Sequence, residues 1–416
     1  MAMWIILALR NLAKNKRRSF FTVMAVALGF AAVNIFGGYT HYIATSLRDG
    51  YVYGMPYGHL TVFKTGHMKA GATRPAECML EPGDVQAVKD ILLKDARVRV
   101  VTPQIYLTGL ISNGKMSTIF ISLARVVDET ASIRSMAEGL VGKLKLYDGE
   151  PLQDAVPHGI GISGGLMARL DLKLGDSVVL MAPTVDGQMN AVDAVVFCTF
   201  EPQNEMMRDT FIVQTLSAGR QLLDTGGADR LIVALSPDAD VNAMRDEMER
   251  KLRAAGLDVE VFTWEALNPS YGRIQEMFDV IFIFLFVIVF VIVVLSVVNT
   301  ISMAVMERTR EIGTMRALGL RRSGLLLIFG TESAMLASVG AAIGLALTML
   351  CWAAIIIIKP TWIPPTVPKR VPFEIHLVPE YMVGAFVCMV VLAVLAAVLP
   401  AGRAARMGIV DELGHV

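Results

Sequence analysis

The stretch VIFIFLFVIVFVIVVLSVV, Val280 to Val298, leads through Asn299 to Val305 into MERTREIGTMRALG, Met306 to Gly319, and these two runs decide the fold class. An uncharged run of this length crosses the hydrocarbon core of a bilayer as a helix. Lipid offers no partner to an open backbone, so the helix must satisfy its own polar groups. In the second run Glu307, Arg308, Arg310, Glu311 and Arg316 surround Ile312, Met315 and Leu318, a spacing that gives a helix one apolar strip among charges. Such a helix suits docking to another protein. The competing reading is a basic juxtamembrane loop that only fixes topology, since Arg308, Arg310, Arg316, Arg321 and Arg322 outnumber Glu307 and Glu311.

Composition agrees with a membrane protein that carries one sizeable soluble domain. Of 416 residues 54% are hydrophobic and only 18% charged, against roughly 25% charged in an ordinary soluble domain. A formal net charge of zero argues against a nucleic-acid binder, whose affinity rests on an excess of Lys and Arg. The 4 cysteines are too few and too scattered for a disulfide scaffold. Cys351 and Cys388 sit in apolar runs as small hydrophobes; Cys78 and Cys198 fall in the soluble region, where pairing is the less favoured reading.

Taken in order, residues 1–18 read as an amphipathic helix in the cytoplasmic interface, with Trp4, Ala8, Leu9 and Leu12 on one face and Arg10, Lys14 and Arg17 on the other. The first transmembrane helix occupies 19–45, an uncleaved anchor held inward by Arg10, Lys14, Lys16, Arg17 and Arg18. Residues 46–274 form a large extracytoplasmic α/β or α+β domain inserted between the first and second spans. Its predicted strands include His59–Phe63, two runs flanking an Asn113-Gly114 hairpin turn, and a run from Asp176. Helices are expected at Asp84–Leu93, Gly164–Leu170 and Asp238–Ala255. The second span covers 275–305, a cytoplasmic segment 306–322, the third span 323–358, a proline-rich extracytoplasmic loop 359–380, the fourth span 381–400, and a cytoplasmic tail 401–416. Four transmembrane helices with both termini inside account for the placement of charge.

The span ending in Asn299, followed by Glu307-Arg308, Glu311-Ile312-Gly313, Arg316-Ala317 and Gly319, resembles the signature of the MacB/FtsX/LolC-type ABC transporter permeases, the type VII or mechanotransmission class. The opening Ala8–Gly29, the phrase Leu166–Leu180 and the ending Pro400–Leu413 resemble the same family. The resemblance implies a bacterial inner-membrane permease subunit that pairs with a second permease, identical or paralogous, and with a separate ATPase dimer that binds the ATP. ATPase contacts would be Glu307, Arg308, Glu311, Ile312, Gly313, Arg316 and Gly319. It implies a lipophilic cargo, a lipoprotein, lipid or peptide, drawn from the outer leaflet, and a periplasmic partner. FtsX-like signalling to a cell-wall hydrolase, MacB-like peptide or drug efflux, and a membrane-anchored binding module are the alternatives.

Other chemistry finds little support. No G-x-x-x-x-G-K-[ST] phosphate loop occurs, so ATP hydrolysis is expected on a separate subunit, with no catalytic residues, cofactor or metal assigned here. Gly159 to Gly164 matches G-x-G-x-x-G, but Ala155 to His158 make a poor preceding strand, and a dinucleotide site is disfavoured. The 6 histidines show no ligand spacing. Glu332 lies well inside the third span, where an ionisable group needs a partner or an aqueous pocket, and Asn299 or Thr300 is the expected one. Gly340 and Gly344 form G-x-x-x-G, read as close helix packing ahead of a dimer seam.

Overall fold

The computed structural model describes residues 16–54, 57–71, 73–137, 147–156, 158–202, 205–362 and 370–406. The predicted interfacial helix, apart from its last residues, and the end of the predicted tail lie outside them. The described residues divide into a helical unit, from Met1–Ala44, Ile274–Pro360 and Pro372–Val416, and a mixed unit, from Thr45–Arg273 and Thr361–Val371.

Among the described residues four helices are long and apolar enough to cross a membrane. They are α1 (Lys16–Asp49), α8 (Pro269–Glu307), α10 (Arg322–Ile358) and α11 (Pro379–Ala404), with short α9 (Thr309–Ala317) between α8 and α10. Each of α1, α8 and α11 runs past its sequence-predicted bounds, because polar residues flanking an apolar run extend a helix without losing backbone bonds. Their common core joins Val26 and Phe30 of α1, Val293 and Val297 of α8, Phe329 and Ala337 of α10, and an alanine face of α11 that includes Ala393 and Ala397. Alanines at that spacing admit a neighbouring helix closely. Gly340 and Gly344 do the same where α10 meets α1: a Cβ on Gly340 would stand 2.7 Å from Val26 Cβ, and one on Gly344 2.6 Å from the Ala27 carbonyl oxygen. Near the start of α11, Tyr42 donates to the Pro372 carbonyl at 2.8 Å and Tyr39 stacks on Phe373, so the end of the proline-rich loop packs on α1.

In the mixed unit ten strands form one sheet, ordered β10-β1-β9-β2-β3-β8-β5-β7-β4, with β6 pairing both β2 and β7. The strands are β1 (Leu60–Lys64), β2 (Val98–Ser112), β3 (Ser117–Arg125), β4 (Tyr147–Gly149), β5 (Gly159–Ser163), β6 (Ser177–Pro183), β7 (Met189–Phe200), β8 (Phe211–Thr215), β9 (Arg230–Leu235) and β10 (Val259–Thr263). Because β6 bridges β2 and β7, the strands β2, β3, β8, β5, β7 and β6 close into a ring, while β9, β1 and β10 continue as an open sheet. A layered α/β arrangement is the sequence expectation. The closure arises because long β2 changes partner along its length, pairing β9 through Gln104 and then β3 and β6 toward Ser112. Gly109 stands where those strands converge; a Cβ there would strike the Met181 carbonyl.

The unit also holds helices α2 (Pro82–Leu92), α3 (Val127–Ser135), α4 (Gly164–Arg169), α5 (Leu216–Leu223), α6 (Val241–Ala254) and α7 (Trp264–Leu267), besides single helical turns at His67–Ala70 and Pro75–Cys78. Met244, Met248 and Leu252 of α6 and Val88 and Leu92 of α2 share one core with the sheet. Asn113-Gly114 makes the expected hairpin turn, with Gly114 at φ 83° and the Asn113 carboxamide oxygen accepting from the Lys115 and Met116 amides. The glycine motif is itself strand β5 running into α4. A Cβ on Gly159 or Gly161 would press on Phe197 or Cys198 of β7, so these glycines admit the adjacent strand. That strand is hidden from sequence reading because glycine weakens strand propensity.

The π-helical Gly50–Gly54 buries Val52 and Tyr53 against Ile232 and Trp264. Beside it His59 accepts the Leu235 amide on Nδ1 at 3.0 Å, which leaves Nε2 to face the Tyr53 hydroxyl at 3.4 Å. Burial, then the nearby Arg48 charge, lowers the His59 pKa to about 4, so it is neutral at pH 7. Cys78 and Cys198 are buried free thiols, and burial pushes Cys198 up to about 11, which keeps it unreactive.

Candidate functional site

The segment between α8 and α10 is where the signature residues gather. The single helix predicted across Met306–Gly319 is broken: Arg308, at φ −115° and ψ 17°, ends α8 and caps α9. At the far end the Leu320 amide bonds to the Met315 carbonyl and the Gly319 amide to the Arg316 carbonyl. Gly319 takes φ 99°, which makes this a Schellman stop, and its left-handed backbone is the reason a glycine stands there.

Two ion pairs fix the broken joint to the spans. Glu307, the last residue of α8, pairs with Arg18 at the start of α1. Arg308 reaches Glu332 of α10 at 3.8 Å, with their side chains 14% and 7% exposed. That distance is a charge contact without a hydrogen bond, and Glu332 Oε2 has no other partner among the described residues. The expected partners of Glu332 are used or aimed elsewhere: Thr300 bonds to Thr22 of α1 at 2.5 Å, and Asn299 lies on the exposed face of α8. Arg308 wins because the helix break swings it back toward α10, which no regular spacing foretells.

The apolar strip divides. Ile312 is 2% exposed and joins the helical core with Leu325 and Phe329, and Gly313 is buried beside it. Met315 and Leu318 face outward, Leu318 at 84% exposure, together with Glu311, Thr314 and Gly319, while Arg316 is half-buried. So Ile312 and Gly313 seat α9 on the bundle, and the surface left for another protein is Glu311, Met315, Leu318 and the exposed part of Arg316. Sequence reasoning gave Arg18 a topological role alone and overlooked Thr22. Their signals were present as a basic residue opposite Glu307 and a hydroxyl near the start of an apolar span.

Residues 283–409, which contain α9 and all but the start of the helices around it, match the FtsX-like permease C-terminal family. Over 119 residues the chain is 35% identical to the macrolide export ATP-binding/permease protein MacB of Escherichia coli strain K12, covering 29% of this chain and 17% of that protein. Residues 283–409 are thus an FtsX-like permease C-terminal region, of the kind that MacB-type ABC permeases carry. The MacB of Shigella sonnei is 34% identical over 119 residues, with the same coverage, so the matched region spans well under two thirds of these relatives. Among solved structures, the periplasmic region of MacB from Actinobacillus actinomycetemcomitans aligns at 13% identity and a TM-score of 0.37, covering 51% of this chain and 91% of that one. The extracellular domain of the noncanonic ABC-type transporter YknZ from Gram-positive bacteria aligns at 14% identity and 0.35, covering 49% and 99%. The four long apolar helices together with the FtsX-like permease match make the chain a multi-pass membrane protein.

Proposed function

We propose that this permease couples ATP-driven closure of a separate ATPase dimer to movement of its mixed unit on the outer side of the membrane, and so releases lipoproteins or other lipophilic cargo. The observation that carries the reading is α9. One face is seated on the bundle through Ile312, the joint before it is held to α10 by Arg308–Glu332 and to α1 by Glu307–Arg18, and the other face presents Glu311, Met315 and Leu318. A push on such a helix moves the bundle, because packed helices shift as rigid elements. The permease would act beside a second copy or paralogue, since a two-fold ATPase presents two equivalent docking surfaces. Both chain termini and α9 would lie in the cytoplasm, as the basic residues near the spans favour.

A second reading, efflux of a drug or peptide, is favoured by the 35% identity to the macrolide export protein. The permease purified from its own host in mild detergent distinguishes the two through the proteins and lipids that mass spectrometry finds with it. Co-purified lipoprotein or lipid supports release, and stimulation of ATP hydrolysis by macrolides or peptides supports efflux. In the same preparation Glu311→Lys and Arg316→Glu are expected to lower the co-purifying ATPase by about tenfold or more while insertion is unchanged. Wild-type amounts of ATPase with both variants would refute docking at α9.

A further inference from the structure

Beside β10 the mixed unit carries a groove of about 370 Å³, lined by Asn242, Arg245, Glu249 and Arg253 of α6 and by Glu260, Val261, Phe262, Thr263 and Ala266. It lies outside everything assigned to coupling. β10 is the terminal strand of the sheet and among the described residues pairs only with β1, Leu60 opposite Thr263 through Lys64 opposite Val259.

The backbone hydrogen bonds fix which groups face the open side. Thr65 donates to the Asp258 carbonyl at 3.1 Å and the Trp264 amide to the His59 carbonyl at 3.2 Å, so the even-numbered residues address β1. In an antiparallel pair the alternate residues then point their amides and carbonyls away. Val259 bears this out, since its carbonyl is taken from the outer side by Arg253 Nε at 3.4 Å. Val261 therefore presents both its N–H and its C=O to the groove, and Thr263 its N–H. Among the described residues no bond outside the strand ladder engages the Val261 backbone. On the opposite wall Arg245 has a buried Nε without a hydrogen-bond partner, although its terminal nitrogen pairs with Asp246 at 2.9 Å.

We propose that this groove binds an extended segment of another polypeptide, which adds as a strand to β10 and places a carboxylate side chain against Arg245. The main chain of such a segment supplies the acceptor and donor that Val261 lacks, and backbone bonds of this kind give affinity while a wall of side chains gives selectivity. A carboxylate is the complement of an arginine nitrogen with no acceptor. A second copy of this sheet fits less well, because it would bring its own α6 flank into the same groove. The site goes beyond the coupling function, and its test uses no ATPase.

The probe is a random-peptide phage library panned on the full chain in detergent, with the enriched peptides then synthesised. They are expected to be rich in Asp and Glu, to slow amide exchange at Val261 and Thr263, and to bind about tenfold more weakly to Val261→Pro and to Arg245→Ala. Proline at 261 removes an outward N–H and so spares the β1 ladder, but it also replaces a buried core side chain, and the melting temperature is measured beside the binding. Should Val261→Pro not fold, Arg245→Ala together with the exchange data decides. Peptides that bind Arg245→Ala as well as wild type and leave Val261 exchange unchanged would overturn the proposal, as would a library that yields no enriched sequence. Protection of Val261 that rises with protein concentration and needs no peptide would also overturn it, in favour of a second copy.

Discussion

Arg308 and Glu332 are two charges largely withdrawn from solvent, 3.8 Å apart, and Glu332 Oε2 has no hydrogen-bond partner among the described residues. Removing one partner of such a pair leaves the other as an isolated buried charge, which costs more than the pair is worth. Glu332→Gln and Arg308→Met are therefore each expected to lower the unfolding midpoint of the detergent-purified permease. The double variant should lose less than the sum, with a coupling energy of about 1–3 kcal/mol. Purely additive losses would show that the two residues do not sense each other. The need of Glu332 for a partner was legible in the sequence, since an acid so far into an apolar run cannot stand alone. The identity of that partner was not: Arg308 reads as one of several basic residues of a docking segment until the helix break redirects it. The same limit applies to Ile312, whose spacing marks an apolar face without saying whether that face meets the bundle or a partner.

At the scale of the element, α10 is placed by Gly340 and Gly344, which let α1 approach to the distance where any side chain would collide. Leucine at 340 must displace Val26 or separate the helices, an overpacking expected to cost about 1–3 kcal/mol. Gly384, whose Cβ would meet nothing within 4 Å, supplies the control. Thermal unfolding in detergent should fall for Gly340→Leu and stay near wild type for Gly384→Leu. Equal behaviour of the two would remove the glycine pair from the packing of α1. The spans and this glycine pair could be read from sequence because hydropathy and small-residue spacing are local signals. Strand β5 and the closed ring could not, since glycines masked the one and the other depends on which strands β2 meets along its length.

Across the whole molecule, the described residues form one unit that holds four long apolar helices and one mixed unit. The coupling proposal requires α9 to be reached from the side where ATP is made available, and the mixed unit to work on the other. Thr314 is exposed on α9 and suits a reporter. With the four native cysteines replaced by alanine, Thr314→Cys is probed with a membrane-impermeant maleimide in sealed spheroplasts and in inverted membrane vesicles. Labelling in the inverted vesicles alone is the result expected of a helix that docks an ATPase, and labelling in sealed spheroplasts would contradict it.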